Sequence, residues 1–204
     1  FTDSLIENTN LIAHFVTDTI ERKGLVINEI NYSSSSLFNT GDWIELYNPN
    51  DYSIDISNWR VSDLENTFTI PNNTIVKEND YIIISNNIIS FKNLHPNIDN
   101  VIGASGIALN NNEDLIIIYN HEGYQVDSLV YQQNDPWPNI LNNIDYTIEL
   151  NSWLKPNEDG VNWHASNSPE GTPGDLNSES GIIVRIIQGE AINYRDYFKN
   201  INLD

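Results

Sequence analysis

Apolar and polar residues alternate with a period of two along much of the chain, in short runs broken by Asn, Asp, Ser, Gly and Pro. That period sends neighbouring side chains to opposite faces and predicts β-strands rather than helices. The clearest instance is 42–63, which reads as two strands joined by a tight polar corner. In the first, Ile44 and Leu46 share one face, while Trp43, Glu45 and Tyr47 share the other. Asn48-Pro49-Asn50-Asp51 ends the run, because proline fixes φ and offers no N–H to a ladder. Ile54 and Ile56 begin the return. Ser57-Asn58 predicts a kink or bulge that lets Trp59 and Val61 turn inward. A ribbon with one apolar face needs a second sheet over it.

The flanking chain supplies strands for both sheets. Runs at 25–30, 67–70, 74–76, 81–85, 115–119, 125–131 and 146–150 are bounded by turn residues. The run Ile82-Ile83-Ile84 fits a strand covered on both faces. Ile107-Ala108-Leu109, Asn110-Asn111-Asn112 and 115–119 together predict a β-hairpin. Segment 31–41 reads as a loop, 86–100 as holding a short helical turn, and 151–177 as irregular. Asp135-Pro136-Trp137-Pro138 is a loop, since two prolines flank one residue. At the ends, 1–24 reads as a flanking strand segment, either the end of a preceding region or an added edge strand. Residues 178–204 read as a linker and the start of a following region, with a strand at 182–187 and a short helix or unstructured end at 194–201. Many short strands with frequent turns predict an all-β sandwich.

Composition narrows the function classes. Of 204 residues, 39% are hydrophobic, enough for a core. The net charge is −20, from 29 acidic and 9 basic residues. Such a field repels phosphate backbones and anionic lipid, so nucleic acid is not an expected partner. No run is long enough for a membrane helix, so insertion is not expected either. Cysteine is absent, which excludes disulfides, a thiol nucleophile and a cysteine zinc site. The start at Phe1, with no methionine, reads as a piece cut from a longer precursor.

Five blocks, in order, resemble the lamin tail domain family in its bacterial form. They are Val26-Ile27-Asn28-Glu29-Ile30; Asp42-Trp43-Ile44-Glu45-Leu46-Tyr47-Asn48-Pro49; Ile54-Asp55-Ile56-Ser57-Asn58-Trp59-Arg60-Val61-Ser62-Asp63; Asp135-Pro136-Trp137-Pro138; and Asn162-Trp163-His164-Ala165-Ser166 followed by Gly171-Thr172-Pro173-Gly174. They span 25–177. One departure is Asn58, where the family commonly has glycine; asparagine also tolerates left-handed backbone. The resemblance implies an immunoglobulin-like antiparallel β-sandwich with Trp43, Glu45, Trp59, Gly171, Pro173 and Gly174 as structural signature. It implies no catalytic residues and no cofactor. It further implies an extracellular or cell-surface setting, beside other domains of the same precursor or a surface protein or glycan. The chromatin-binding role of the nuclear members does not carry over, because the basic surface is missing.

Candidate chemistry is sparse. Glu45 beside Trp43 reads either as an acid of raised pKa or as a structural carboxylate that caps backbone N–H groups at a strand crossing or pairs with Arg60. As a hydrolase acid it needs a second carboxylate, for which Glu29 and Asp63 are near in sequence. Trp137, Trp153 and Trp163 read either as rings presented to a glycan or partner, or as a lid on one end of the sandwich. The histidines at 14, 95, 121 and 164 form no metal-ligand pair. Asp114, Asp127, Glu158 and Asp159 lie near turns but form no calcium-loop motif, so no metal is assigned.

Overall fold

Alternation turns into two packed sheets. The computed structural model describes residues 24–63, 65–104, 106–140 and 145–178, together with the backbone of 184–187 and 190–193. The chain enters as β1 (Val26–Asn31), buried along its whole length, and returns as β2 (Trp43–Tyr47). Short β3 (Ile54–Asp55), β4 (Arg60–Ser62), β5 (Thr67–Thr69) and β6 (Ile75–Val76) lead to β7 (Tyr81–Ser85). A helix, α1 (Ile88–Leu94), precedes β8 (Val101–Gly103). The long β9 (Glu113–Tyr119) and β10 (Gln125–Gln132) follow, then β11 (Ile148–Leu150) and β12 (Trp163–Ala165). β13 (Val184–Ile187) and β14 (Glu190–Asn193) pair as a separate hairpin.

The first sheet has the order β12-β11-β1-β2-β7-β8 and the second β10-β9-β4-β5. All pairings are antiparallel except β7 with β8. Between the sheets lies one core, including Ile27, Ile30, Ile44, Leu46, Val61, Ile116, Ile118 and Leu129. Tyr32 from the first layer stacks on Tyr131 from the second, with ring centroids 4.8 Å apart. Asp127 ties the layers at the β1 bulge, its Oδ2 accepting the Ile27 N–H at 2.8 Å. The outer face of the first sheet is covered too. Trp43 and Ile83 meet Phe91 of α1, with the Trp43 and Phe91 rings edge-on at 5.8 Å.

Several expectations change. Segment 42–63 is not a paired ribbon: β2 and β4 belong to opposite sheets. Asn48 explains the crossing, since its side chain donates to the carbonyls of Tyr52, Val76 and Lys77 and holds the corner away from β2. The turn at Ser57-Asn58 is present, with Asn58 at φ 63° and both Trp59 and Val61 buried behind it. No hairpin forms at 107–119. Ile107 and Leu109 are buried as loop, because the carboxylates of Asp63 and Asp42 accept the Ala108 and Leu109 amides that a strand partner would otherwise take. α1 falls within 86–100, where a short helical turn was expected; β8 follows it in chain for which no strand was expected, and β12 is a strand where irregular chain was expected. Of the strand expected at 182–187, the described part, 184–187, is β13. The expectations for 1–23 and 194–201 fall outside the described residues.

Candidate functional site

Three strands each carry a single glutamate followed by an apolar residue and, in two of them, also preceded by one. They are Asn28-Glu29-Ile30, Ile44-Glu45-Leu46 and Ile148-Glu149-Leu150. The isoleucines and leucines face the core, so each glutamate must face the other side of the sheet. Register then aligns them: Glu29 stands opposite Glu45 on β2 and opposite Glu149 on β11. The result is a row of three carboxyl groups across adjacent strands, each with 0% exposure.

A short segment, 171–178, closes over the row and supplies most of its hydrogen bonds. The Thr172 N–H donates to Glu29 Oε1 at 3.0 Å, and the Thr172 hydroxyl to Glu149 Oε1 at 3.0 Å. The Gly174 N–H donates to Glu45 Oε2 at 2.6 Å. Ser178 donates both its N–H and its hydroxyl to Glu149 Oε2. From the sheet itself, Thr147 donates to Glu29 and Asn28 to Glu45. His164 of β12 meets Glu149 Oε2 through Nε2 at 3.0 Å. Asn177 locks the far end, exchanging amide bonds with Asn28 and donating to the Leu150 carbonyl.

The electrostatics of the row are uneven. Burial, and then the charges of Glu45 and Glu149, push Glu29 well above the usual carboxylate range; the Thr147 and Thr172 bonds only partly offset this. Burial raises Glu45 to about 8 against the pull of the Gly174 and Asn28 donors. For Glu149 burial also acts upward, but the bonds from His164 and Ser178 outweigh it and its pKa falls. The row thus sets two carboxyl groups held towards the neutral acid, Glu29 and Glu45, beside one held towards the carboxylate, Glu149. Glu29 Oε2 has no hydrogen-bond partner among the described residues.

This arrangement fixes what Glu45 does. It accepts a backbone amide, as the structural reading had it, but from the 171–178 segment rather than from a strand crossing. It does not pair with Arg60, whose guanidinium lies over the Tyr119 ring at 5.4 Å. Glu29 is its neighbour; Asp63 is not, being buried in a turn where it accepts the Glu65, Asn66 and Ala108 amides. A hydrolase acid must reach substrate, and Glu45 is sealed. The acidic hydrolase built on it thus loses its cleft.

The tryptophans are placed differently from one another. Trp137 and Trp163 are 5% and 4% exposed and pack together at 5.8 Å in the core. Neither presents its ring to solvent. Trp153 is half-buried against the same core. Trp59 is buried behind Asn58, Pro173 is buried and Gly174 exposed. Gly171, at φ 70°, sits where any Cβ would overlap Glu29 and Thr147. Three of the four acidic residues near turns are occupied by the chain: Asp114 accepts from Asn110 and Leu115, Asp127 from Ile27 and Asn157, and Asp159 from Val161, while Glu158 is exposed. Among the described residues, no three His, Asp or Glu side chains are set to share a metal ion.

Sequence reasoning missed Glu149 and His164 as members of the row. The recurring strand glutamate next to an apolar residue was the available signal; strand order, which brings β11 beside β1, was not.

No curated protein matches the sequence. The model of the lamin tail domain family matches residues 19–133, more than half of the chain. Trp43, Glu45, Trp59 and Glu29 lie inside the matched range, while Glu149 and the covering segment lie beyond it. With the immunoglobulin-like layering of its sheets and the match over 19–133, the chain belongs to the lamin tail domain family.

Proposed function

We propose that this chain is a non-catalytic structural and interaction module of a secreted or cell-surface bacterial protein, spacing, docking or anchoring the domains beside it. The observation that supports this reading is the use made of the converging carboxyl groups. They are the most concentrated ionisable cluster described, and they bind the chain's own amides and hydroxyls instead of facing a cleft. The net charge of −20 supports protein or glycan partners over nucleic acid. Glycan binding through Trp137, Trp153 and Trp163 is the weaker reading, since only Trp153 among them is partly open.

Fractionation and cross-linking in the native host tests the proposal. The expected result is recovery from the surface or medium, cross-linked to neighbouring domains or to a surface component. Recovery from the cytosol, or turnover of a glycoside or ester that Glu45→Gln abolishes, would contradict it.

A further inference from the structure

The 171–178 segment is attached to the first sheet by side chains, not by a ladder. Its own backbone bonds are local turns, Gly171 to Ser168 and Asp175 to Thr172. Its bonds to the sheet go to Glu29, Glu45 and Glu149, with Asn177 as the remaining anchor. β1, β2 and β11, by contrast, hold each other through paired backbone. Anything that loads charge onto the row therefore strains the covering segment before it strains the sheet.

The surroundings decide how much charge the row can take. Glu29 (β1), Glu45 (β2) and Glu149 (β11) sit side by side, about one strand spacing apart. His164 on β12 is the cationic candidate in contact, and it serves Glu149. Tyr81 on β7 faces Glu45 and stays neutral, because burial pushes its hydroxyl far up. The segment itself brings Asp175, another negative group near Glu45. At its start, Glu170 lies 3.7 Å from His95 at the end of α1, with Asp145 also near. Lys77, Asp80 and Asp99 border the adjoining groove, of about 440 Å³, whose wall includes Gly174. As acids, Glu29 and Glu45 accept amide bonds without adding charge. As anions, they would stand beside Glu149 in a fully buried row where, among the described residues, His164 is the basic side chain in contact and it meets Glu149.

We propose that 171–178 is a proton-dependent latch, closed while Glu29 and Glu45 are carboxylic acids and lifted when they ionise, which uncovers the outer face of the first sheet next to the groove at Gly174. The unpartnered Glu29 Oε2 fits the closed state, since a protonated or neutral oxygen tolerates that position far better than an anionic one. Opening is local because β2 and β7 keep their ladder. This goes beyond a docking role: it makes one covered sheet face available only under alkaline conditions.

Hydrogen exchange of the full 204-residue chain between pH 5 and pH 10, corrected for intrinsic rates, tests the latch. The expected result is loss of protection at the Thr172, Gly174 and Ser178 amides as pH rises, by up to about tenfold per pH unit for each proton released, with β2 and β7 amides still protected. In Glu29→Gln the same loss is shallower, because one titrating group is gone. Unchanged protection of the segment across this range overturns the proposal. So does loss at the same pH and to the same degree in β2, which would mean global unfolding.

Discussion

Gly171 sits directly on Glu29: a Cβ at that position would overlap Glu29 Oε1 and the Thr147 hydroxyl. The backbone there is left-handed, at φ 70°. Both facts demand glycine at the point where the covering segment begins. Gly171→Ala should therefore destabilise the protein by about 2 kcal/mol or more, combining left-handed strain with displacement of the segment. Urea denaturation checks this, and a midpoint equal to wild type would show that the segment does not close on the row.

Glu29 offers a cleaner substitution. Its Oε1 accepts from Thr147 and Thr172, while Oε2 has no partner among the described residues. Glutamine keeps the accepting oxygen and places an amide where the second oxygen was, so it mimics the protonated acid. Glu29→Gln should be within about 1 kcal/mol of wild type at pH 6 and more stable than wild type at pH 9. Were Glu29 an anion in the folded protein, the same change would cost stability throughout.

The row also sets the pH profile. Glu45 titrates near 8 when folded against about 4.5 when unfolded, and Glu29 is raised as well. Between those values the folded state holds more protons than the unfolded state. The stability from Glu45 is thus complete below 4.5 and is lost as pH rises through about 8; that from Glu29 has the same sign, complete below 4.5 and lost as pH rises through its raised folded value. Glu149 has the opposite sign. Its folded pKa is lowered, so its contribution is present above 4.5 and lost as pH falls through the folded value. Maximum stability should lie in mildly acidic solution, with a decline towards alkaline pH of about 1.4 kcal/mol per pH unit for each excess proton. Denaturant titrations at pH 4 to 9.5 measure it, and a plateau from pH 6 to 9 would rule it out.

Trp137 fills a different role from the one its exposed-looking loop suggests. It packs on Trp163, and a Cβ added at Gly160 would lie 2.8 Å from its ring. Trp137→Ala should cost about 3–5 kcal/mol by leaving a cavity. Thermal unfolding checks the loss. Wild-type stability with selective loss of glycan binding would instead favour the presented-ring reading.

Local patterns made much of the fold legible. Short apolar runs bounded by turn residues marked β1, β2, β7, β9 and β10, and the left-handed turn at Asn58 followed from residue type. What local pattern cannot carry is the partner of each strand. Residues 48–55 looked like a hairpin corner, yet the side chain of Asn48 directs the chain to the other sheet. Ile107 and Leu109 alternate like a strand, but distant carboxylates at Asp42 and Asp63 hold their loop. The site suffered most. Glu45 was visible as an unusual residue in a strand, but its meaning depends on Glu29 and Glu149 arriving beside it through strand order, and on a segment far along the chain closing over all three. Glu149 carried only the strand-glutamate pattern, and His164 no signal of its own.

The most direct measurement is the carboxyl ¹³C signal of glutamate side chains, followed by NMR across pH and assigned through Glu29→Gln, Glu45→Gln and Glu149→Gln. The expected spectrum at pH 7 shows Glu29 and Glu45 as carboxylic acids and Glu149 as a carboxylate. Three carboxylates at pH 7, each titrating near 4.5, would mean that the row is open to water and does not hold the segment as described.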